Sequence, residues 1–399
     1  MSTIPTITRF EKEFTLQEPI PESGIERVAE LLRSGRLHRY NSEPSEVSLL
    51  EQEFASDIGK RYCIGVNSCG SAIFLSLKAI GVTSESTVLC NAFTLAPVPG
   101  AIEHTGAKCV LVEIGKDYTI DLGDLAKKLR TSNACCLLLS HMRGHIANLN
   151  EVTELCDAHK TVLIEDAAHV AGCHWDNKAV GTFGTTGCFS TQTYKHINSG
   201  EGGLVITDND EIAAKIILMS GSYMNYENHL SRPPLEVFEK HRDLMPNYSM
   251  RMSNLQAALI RTQLETLEDR CLRWNQRHDL IVSHLRKKPQ LYLPERNPLE
   301  GYVGSSIQFS IPNADSQQCD QFVNHCKDLG VVLSWYGRTR SLGFTSRFDN
   351  WEFWPDRTKL PSTENILDTL FDFRIPLTFS LEDCQHIAQI ITNVIDETF

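Results

Sequence analysis

Three short stretches carry residue types suited to one kind of chemistry. Asp166 closes the apolar run TVLIED, and an acid at the C-terminal end of a parallel strand sits where α/β sheets place their ligands. Lys195 lies in CFSTQTYKHINSGEGG, where a short strand over 187–190 leads into a loop. Gly200, Gly202 and Gly203 follow, and glycine lets a backbone approach a ligand closely or take a positive φ. Gly70 and Ser71, in NSCGSAIFLSLKAIG, precede a helix whose first turn would aim unpaired N–H groups at an anion. Lysine can form an imine, an acid can keep a heterocyclic nitrogen protonated, and a helix start can hold a phosphate. Those are the three requirements of a pyridoxal 5′-phosphate site. Each feature alone also has a plainer reading: a capping acid, a solvated lysine, an ordinary N-cap.

The elements that would position these residues follow from periodicity. The runs TVLC (87–90), KCVLVEI (108–114), CCLLLSHM (135–142), TVLIED (161–166) and GGLVITD (202–208) are short, apolar and rich in β-branched residues. Such runs suit strands covered by helices on both faces. Helical patterns over 122–129 and 152–159 lie between them, so the alternation predicts an α/β domain with a mostly parallel sheet. Val47, Leu50, Phe54 and Ile58 predict a helix over 45–58 with Gly59 as its stop. Ser253 and Gln256 fit a capping box that opens one long helix reaching Leu285. Beyond about 290 the pattern reads strand (SSIQFSIP), helix (316–328), strand (VVLSWY), an irregular stretch over 337–361, and a helix from Ser380. The expected division is a large cofactor domain over 1–255 and a smaller C-terminal α+β domain over 256–399 that includes the bridging helix. The irregular stretch reads equally as a solvated loop or as a substrate lid.

Composition narrows the partners. A net charge of −12 over 399 residues argues against nucleic acid or an anionic membrane. The 13 cysteines are scattered without a CxxC pair, which reads as buried thiols in a reducing compartment and not as a metal site or disulfide framework. The N-terminus has no secretory pattern and no stretch approaches the ~18 apolar residues of a membrane span. A cytoplasmic protein is expected.

Read together, CGSAI, EDAAH, FSTQTYKHINSGEGG and NYSMRMSNLQAAL, in that order, resemble the DegT/StrS-type aminotransferases of sugar and cyclitol metabolism, which have the fold-type I architecture. The resemblance runs from SGRLHRY at 34–40 to the last helix. It implies that Lys195 is the Schiff-base lysine and that Asp166 faces the pyridinium nitrogen. It places His169 against the cofactor ring or its 3-oxygen, and Gly70, Ser71 and Ser190 at the phosphate, with Gln192 also in contact with cofactor. Asn247 stands where the family lends an asparagine to the neighbouring subunit's phosphate, which implies a homodimer with shared sites. Arg251, in the same motif, is assigned either to an anionic substrate group or to a structural pair. No metal is implied.

Two departures from the family pattern fall where substrate is chosen. Thr94-Leu95-Ala96-Pro97 replaces the segment that usually carries a stacking aromatic, which leaves Leu95, or Phe93 after a shift, to cover the ring. The stretch 337–361 replaces a histidine- and proline-rich segment and offers Arg338, Arg340, Arg347, Trp351 and Trp354 to a sugar-sized ketone. The resemblance implies ping-pong transfer of an amino group from glutamate or glutamine to a keto-sugar or keto-cyclitol. Sugar dehydratases of the same family carry histidine where this chain has Lys195, which favours amination. Elimination, carbon–carbon bond formation, or a non-catalytic regulator with the same fold are the alternatives.

Overall fold

The computed structural model describes residues 8–41, 44–340, 342, 347–354 and 356–399. In chain order the first five strands are β1 (Tyr62–Val66), β2 (Thr87–Asn91), β3 (Lys108–Val112), β4 (Cys136–Ser140) and β5 (Val162–Asp166). A small hairpin, β6 (His174–Trp175) and β7 (Lys178–Ala179), precedes β8 (Thr186–Ser190) and β9 (Gly203–Thr207). The seven-stranded sheet has the order β1-β9-β8-β5-β4-β2-β3. Only β9 runs against the other six.

Why these runs form a buried sheet is visible in β4. Leu137 and Leu139 face one core and Cys136 and Leu138 the other, all at 1% exposure or less, as the two-residue period of a strand requires. The mostly parallel sheet expected from sequence is therefore present. β1 (YCIGV) is an addition that the sequence pattern does not single out.

Helices cover both faces. Glu46–Ile58 is capped by Ser45, whose side chain accepts the Ser48 N–H, and stops at Gly59 with φ 74°. Ahead of it, Arg39 of the SGRLHRY segment is fully buried and donates two hydrogen bonds of 2.8 Å to Glu51. Burial alone would push the Glu51 carboxyl up, but Arg39 and His229 hold it at about 2. The capping box of Ser253 and Gln256 is formed. The single long helix expected after it is instead two, Asn254–Leu264 and Leu267–Leu285. Thr266 leaves helical backbone between them, at φ −112° and ψ 5°. Just before the break, the Gln263 side chain turns aside to bond the backbone of Asn198.

A second, three-stranded sheet is built from β11 (Ser306–Ser310), β12 (Ser334–Trp335) and β13 (Leu370–Arg374), after the two-residue strand β10 (Glu300–Gly301) has paired with β6. β13 is its central strand and is absent from the sequence expectation. The helix Ser316–Asp328 and the last helix, Leu381–Thr398 with its capping box on Ser380, lie where expected. One face of this sheet is apolar, through Ile307, Phe309, Phe371 and Phe373. The other carries Ser306, Gln308, Ser310 and Asp372, all buried against the large sheet's loops.

The described part of 337–361 is irregular, as expected, but several of its large side chains pack into the protein. Trp351 and Trp354 are buried, and the Trp354 indole donates to the Cys109 carbonyl. Arg347 pairs with Asp349 and Asp368, and Arg338 pairs with Asp320. Positions 341, 343–346 and 355 of this stretch lie outside the described residues. Among the described residues, no helix is long and apolar enough to cross a membrane and no cluster of side chains suits a metal.

One close approach couples this scaffold to the candidate pocket. A Cβ on Gly203, the first residue of β9, would lie 2.3 Å from the Ser68 carbonyl oxygen and 2.7 Å from the Cys69 nitrogen. Those are backbone atoms and cannot turn away. Gly203→Ala should cost about 1–3 kcal/mol, read as a lower urea midpoint with an unchanged slope. An unaltered midpoint would show that strand and helix separate without strain.

Candidate active site

The parallel strands end together, and their last residues build one site. Ser140 and Asp166 are register partners at the ends of β4 and β5. The Asn91 side chain ties the end of β2 to the same place, accepting the Ser140 N–H and donating to the Phe93 and Ser140 carbonyls. A hydroxyl chain then runs inward: Thr94 donates to Ser140 at 2.8 Å, and Ser140 donates to Asp166 Oδ2 at 2.7 Å. The Ala168 N–H donates to the other carboxylate oxygen. Asp166 is thus fixed in orientation while 3% exposed.

Above these strand ends lies a pocket of about 420 Å³. Of the residues proposed from sequence it brings together Gly70, Leu95, Asp166, His169, Ser190, Gln192 and Lys195. Leu95 faces the cavity, and Phe93 is fully buried against Tyr336 instead. Pro97 opens the helix Pro97–His104, a first-turn position where proline forfeits no hydrogen bond. Ser190 accepts the Gln192 N–H, Gln192 accepts the Tyr194 N–H, and the Lys195 N–H returns to the Gln192 carbonyl. This short chain of bonds sets the lysine loop.

The opposite wall is the start of the helix Cys69–Ala79. Gly70 and Ser71 do not precede this helix, as the sequence suggests, but belong to its first turn. Ser68 is the N-cap and accepts the Ser71 N–H. Among the described residues, the Cys69 and Gly70 N–H groups have no acceptor, and both residues line the pocket. Two free amides at a helix start, with the helix dipole behind them, form an anion site. Gly70 keeps it open, since a Cβ there would meet only Ser68 Oγ, at 3.8 Å. The Ser71 hydroxyl donates to Asn67 at 2.6 Å.

Lys195 is the electrostatic centre. Its Nζ lies 2.6 Å from His169 Nε2. His169 Nδ1 accepts the Arg143 N–H at 3.4 Å, so a neutral ring carries its proton on Nε2 and points it at the lysine. In that tautomer the bond needs a lone pair on Nζ, which the lysine offers in its uncharged form. Burial holds His169 well below its ordinary range, aided by the charges of Lys195 and Arg143. Burial also brings Lys195 down to about 8, with Arg143 adding to the shift and Asp166 opposing it.

Three proposed residues do not line this pocket: Ser71, whose hydroxyl is bonded to Asn67, and Asn247 and Arg251, which stand further along the chain. Asn247 accepts the Ser249 N–H, and Arg251 donates to the Gly221 carbonyl at 2.8 Å. Neither lines the cavity of its own chain. Conversely, Ser68, Thr94, Ser140 and Arg143 escaped the sequence reading. Ser140 had a usable signal, because it ends an apolar run in the same way as Asp166. Arg143 had none, since its position depends on a turn in which it adopts φ 56°.

The depressed basicity of Lys195 is testable directly. Reductive methylation with formaldehyde, mapped by mass spectrometry, needs the neutral amine. Labelling of Lys195 should rise with pH through about 8 and then level off, while exposed lysines continue to rise towards ~10.4. A Lys195 profile still climbing above pH ~10 would contradict the lowered basicity of the buried amine.

Comparison with known proteins places this arrangement. The sequence profile of the DegT/DnrJ/EryC1/StrS aminotransferase family matches residues 19–392. The spore coat polysaccharide biosynthesis protein SpsC of Bacillus subtilis is 32% identical over 253 residues, 63% of this chain and 63% of its own length. GDP-perosamine synthase of Escherichia coli O157:H7 is 24% identical over 72% of this chain and 75% of its own. In fold, 3-amino-5-hydroxybenzoic acid synthase superimposes with a TM-score of 0.83 at 21% identity, over 98% of this chain and all of that one. The aminotransferase PseC of Helicobacter pylori gives 0.82 at 16% identity over the same shares.

Proposed function

The chain belongs to the DegT/DnrJ/EryC1/StrS aminotransferase family, and on that premise we propose a pyridoxal 5′-phosphate-dependent aminotransferase acting on sugars or cyclitols. The amino group would come from an amino acid, glutamate or glutamine, and pass to a keto-sugar or keto-cyclitol. One observation carries this reading: an amine of lowered basicity, a fixed carboxylate and two unpaired helix-start amides share one pocket. The names of SpsC and GDP-perosamine synthase support a carbohydrate acceptor. A cytoplasmic homodimer is proposed, with the cofactor domain in 1–255 and the smaller domain in 256–399.

The donor set suits this cofactor. Gly70, Ser71 and Ser190 would hold the phosphate, and Asn247 would be lent by the partner subunit. Leu95 would cover the ring, with His169 and Gln192 at its periphery and Asp166 towards its nitrogen. Lys195 would carry the cofactor. When bound, the group supplies an electron sink for the pair left on the donor α-carbon after deprotonation. Lys195 Nζ is the base that takes that proton and later returns one to the acceptor carbon. His169 Nε2 holds the lysine lone pair in place, and the Thr94–Ser140 chain keeps Asp166 from rotating away.

Two outcomes test the proposal. Borohydride reduction of cofactor-loaded protein, followed by peptide mapping, should place the pyridoxyl group on Lys195. An adduct on another lysine would end the claim. Protein loaded with pyridoxamine phosphate should regain its carbonyl-form absorbance when keto-sugars or keto-cyclitols are added, with free and nucleotide-linked ketones tested separately. Asp166→Asn should lose this return by ~10²–10⁴-fold while keeping its fold by circular dichroism. No return with either ketone class would remove the acceptor assignment.

A further inference from the structure

A second cleft, of about 180 Å³, shares no lining residue with the catalytic pocket. It lies between the turn after β3, the segment leaving Met142–Gly144, the β6–β7 hairpin and the residues leading into β10. Its walls are rich in hydrogen-bond acceptors. Asp117 accepts from Thr119, through the backbone N–H and the hydroxyl, and has no basic partner among the described residues. Glu295 has one there, Arg286 at 3.7 Å. Arg296 is shared between the Gly144 carbonyl, at 2.8 Å, and Glu300, at 3.2 Å. The Glu300 side chain is 7% exposed. Burial pushes its carboxyl up, opposed by Arg296 and the Asn297 N–H and reinforced by Asp117. A further cation beside it would ease that cost.

Two buried side chains in the same walls keep unused hydrogen-bonding capacity. Gln308 spends both amide hydrogens, on Ser306 at 2.9 Å and on Asp372 at 2.6 Å, so its oxygen faces His145 Nε2, at 2.8 Å. Burial, with Arg296 adding to it, holds His145 well below its ordinary range, and the neutral ring therefore carries its proton on Nε2. Nδ1 keeps a lone pair that no donor reaches among the described residues, in a residue 6% exposed that lines the cleft. Trp175 also lines it at 1% exposure, and its indole N–H has no acceptor among the described residues. Buried polar groups without partners are costly. Two of them around one cavity mark a place for a polar occupant.

We propose that this cleft binds a small protonated amine that carries hydroxyl groups, the chemistry of an amino sugar. The ammonium would meet Asp117 and Glu300. A hydroxyl, able to donate and accept at once, would answer His145 Nδ1 and the Trp175 N–H. The cavity is below the ~300 Å³ of drug-sized sites, which limits the occupant to about one ring. Among the described residues no cluster suits a metal, and an amino acid would bring a carboxylate to walls that already hold three. The cleft also touches the network behind Lys195, since Gln308 joins His145 to Asp372 and Asp372 pairs with Arg143. The amine product of the proposed reaction has the chemistry this cleft accepts; its place as the natural occupant rests on the aminotransferase reading above, whereas the site itself does not.

The test is calorimetry at about pH 6.5, where an amine of the α-amino type is protonated, on the full-length protein before and after borohydride reduction of its cofactor onto Lys195. The probes are glucosamine, its uncharged counterpart glucose, and glutamate. Glucosamine should bind, with glucose and glutamate each at least ~10-fold weaker. Reduction should leave its affinity unchanged, because the cofactor occupies the other pocket. Glu300→Gln should weaken glucosamine by ~10- to 100-fold and leave glucose unaffected. Asp117→Asn, at an exposed position, should weaken it by ~2- to 5-fold. Unchanged glucosamine affinity in folded Glu300→Gln, or in Asp117→Asn should Glu300→Gln not fold, would overturn the proposal. So would equal affinity for glucose, loss of binding after reduction, or no binding by about 10 mM. If reduction places no pyridoxyl group on Lys195, the aminotransferase reading fails, and the unreduced protein still decides whether the cleft takes an amine.

Discussion

An amine kept out of water governs this structure. A lysine side chain ordinarily stays charged and solvated, and burying it disfavours the ammonium form. Here burial, Arg143 and the imidazole of His169 act together on one nitrogen, and Asp166 only partly offsets them. Several polar bonds near the pocket serve that arrangement. The Ser190–Gln192–Tyr194 chain shapes the loop. Gln263 anchors its far side at Asn198, just before the break that divides the bridging helix.

The second sheet contributes through an unusually polar buried face. Tyr118 bonds Ser310 at 2.8 Å, His145 bonds Gln308 at 2.8 Å, and Arg143 pairs with Asp372. Buried polar groups are costly unless satisfied, and satisfied networks fix relative position more strictly than apolar packing does. The same Arg143 that crosses to Asp372 also orients His169 through its backbone N–H. Placement of the small sheet and the protonation of Lys195 are therefore linked through one residue. That link depends on Arg143 holding a left-handed backbone conformation between Met142 and Gly144.

The sequence by itself determined the sheet, most of its strands, the capped helices at Ser45, Ser253 and Ser380, and the pairing of Lys195 with Asp166 as a candidate site. These were legible because each depends on local pattern: apolar runs of strand length, side-chain caps at fixed offsets, and an acid or a glycine cluster at the end of a strand. Tertiary structure alone decided the rest. β13 (LFDFR) is not singled out by the sequence pattern, because Asp372 and Arg374 interrupt its apolar run, yet Asp372 pairs with Arg143 and Arg374 bonds the Tyr194 carbonyl, both far away in the chain. The tryptophans and arginines of 337–361 look like sugar-binding groups, yet Trp351 and Trp354 are buried and Arg338 and Arg347 are ion-paired within the protein. Arg251 looks available in sequence and is spent on the Gly221 carbonyl. A charged side chain's role depends on which partner reaches it first, and that is a property of the folded chain that no local pattern records.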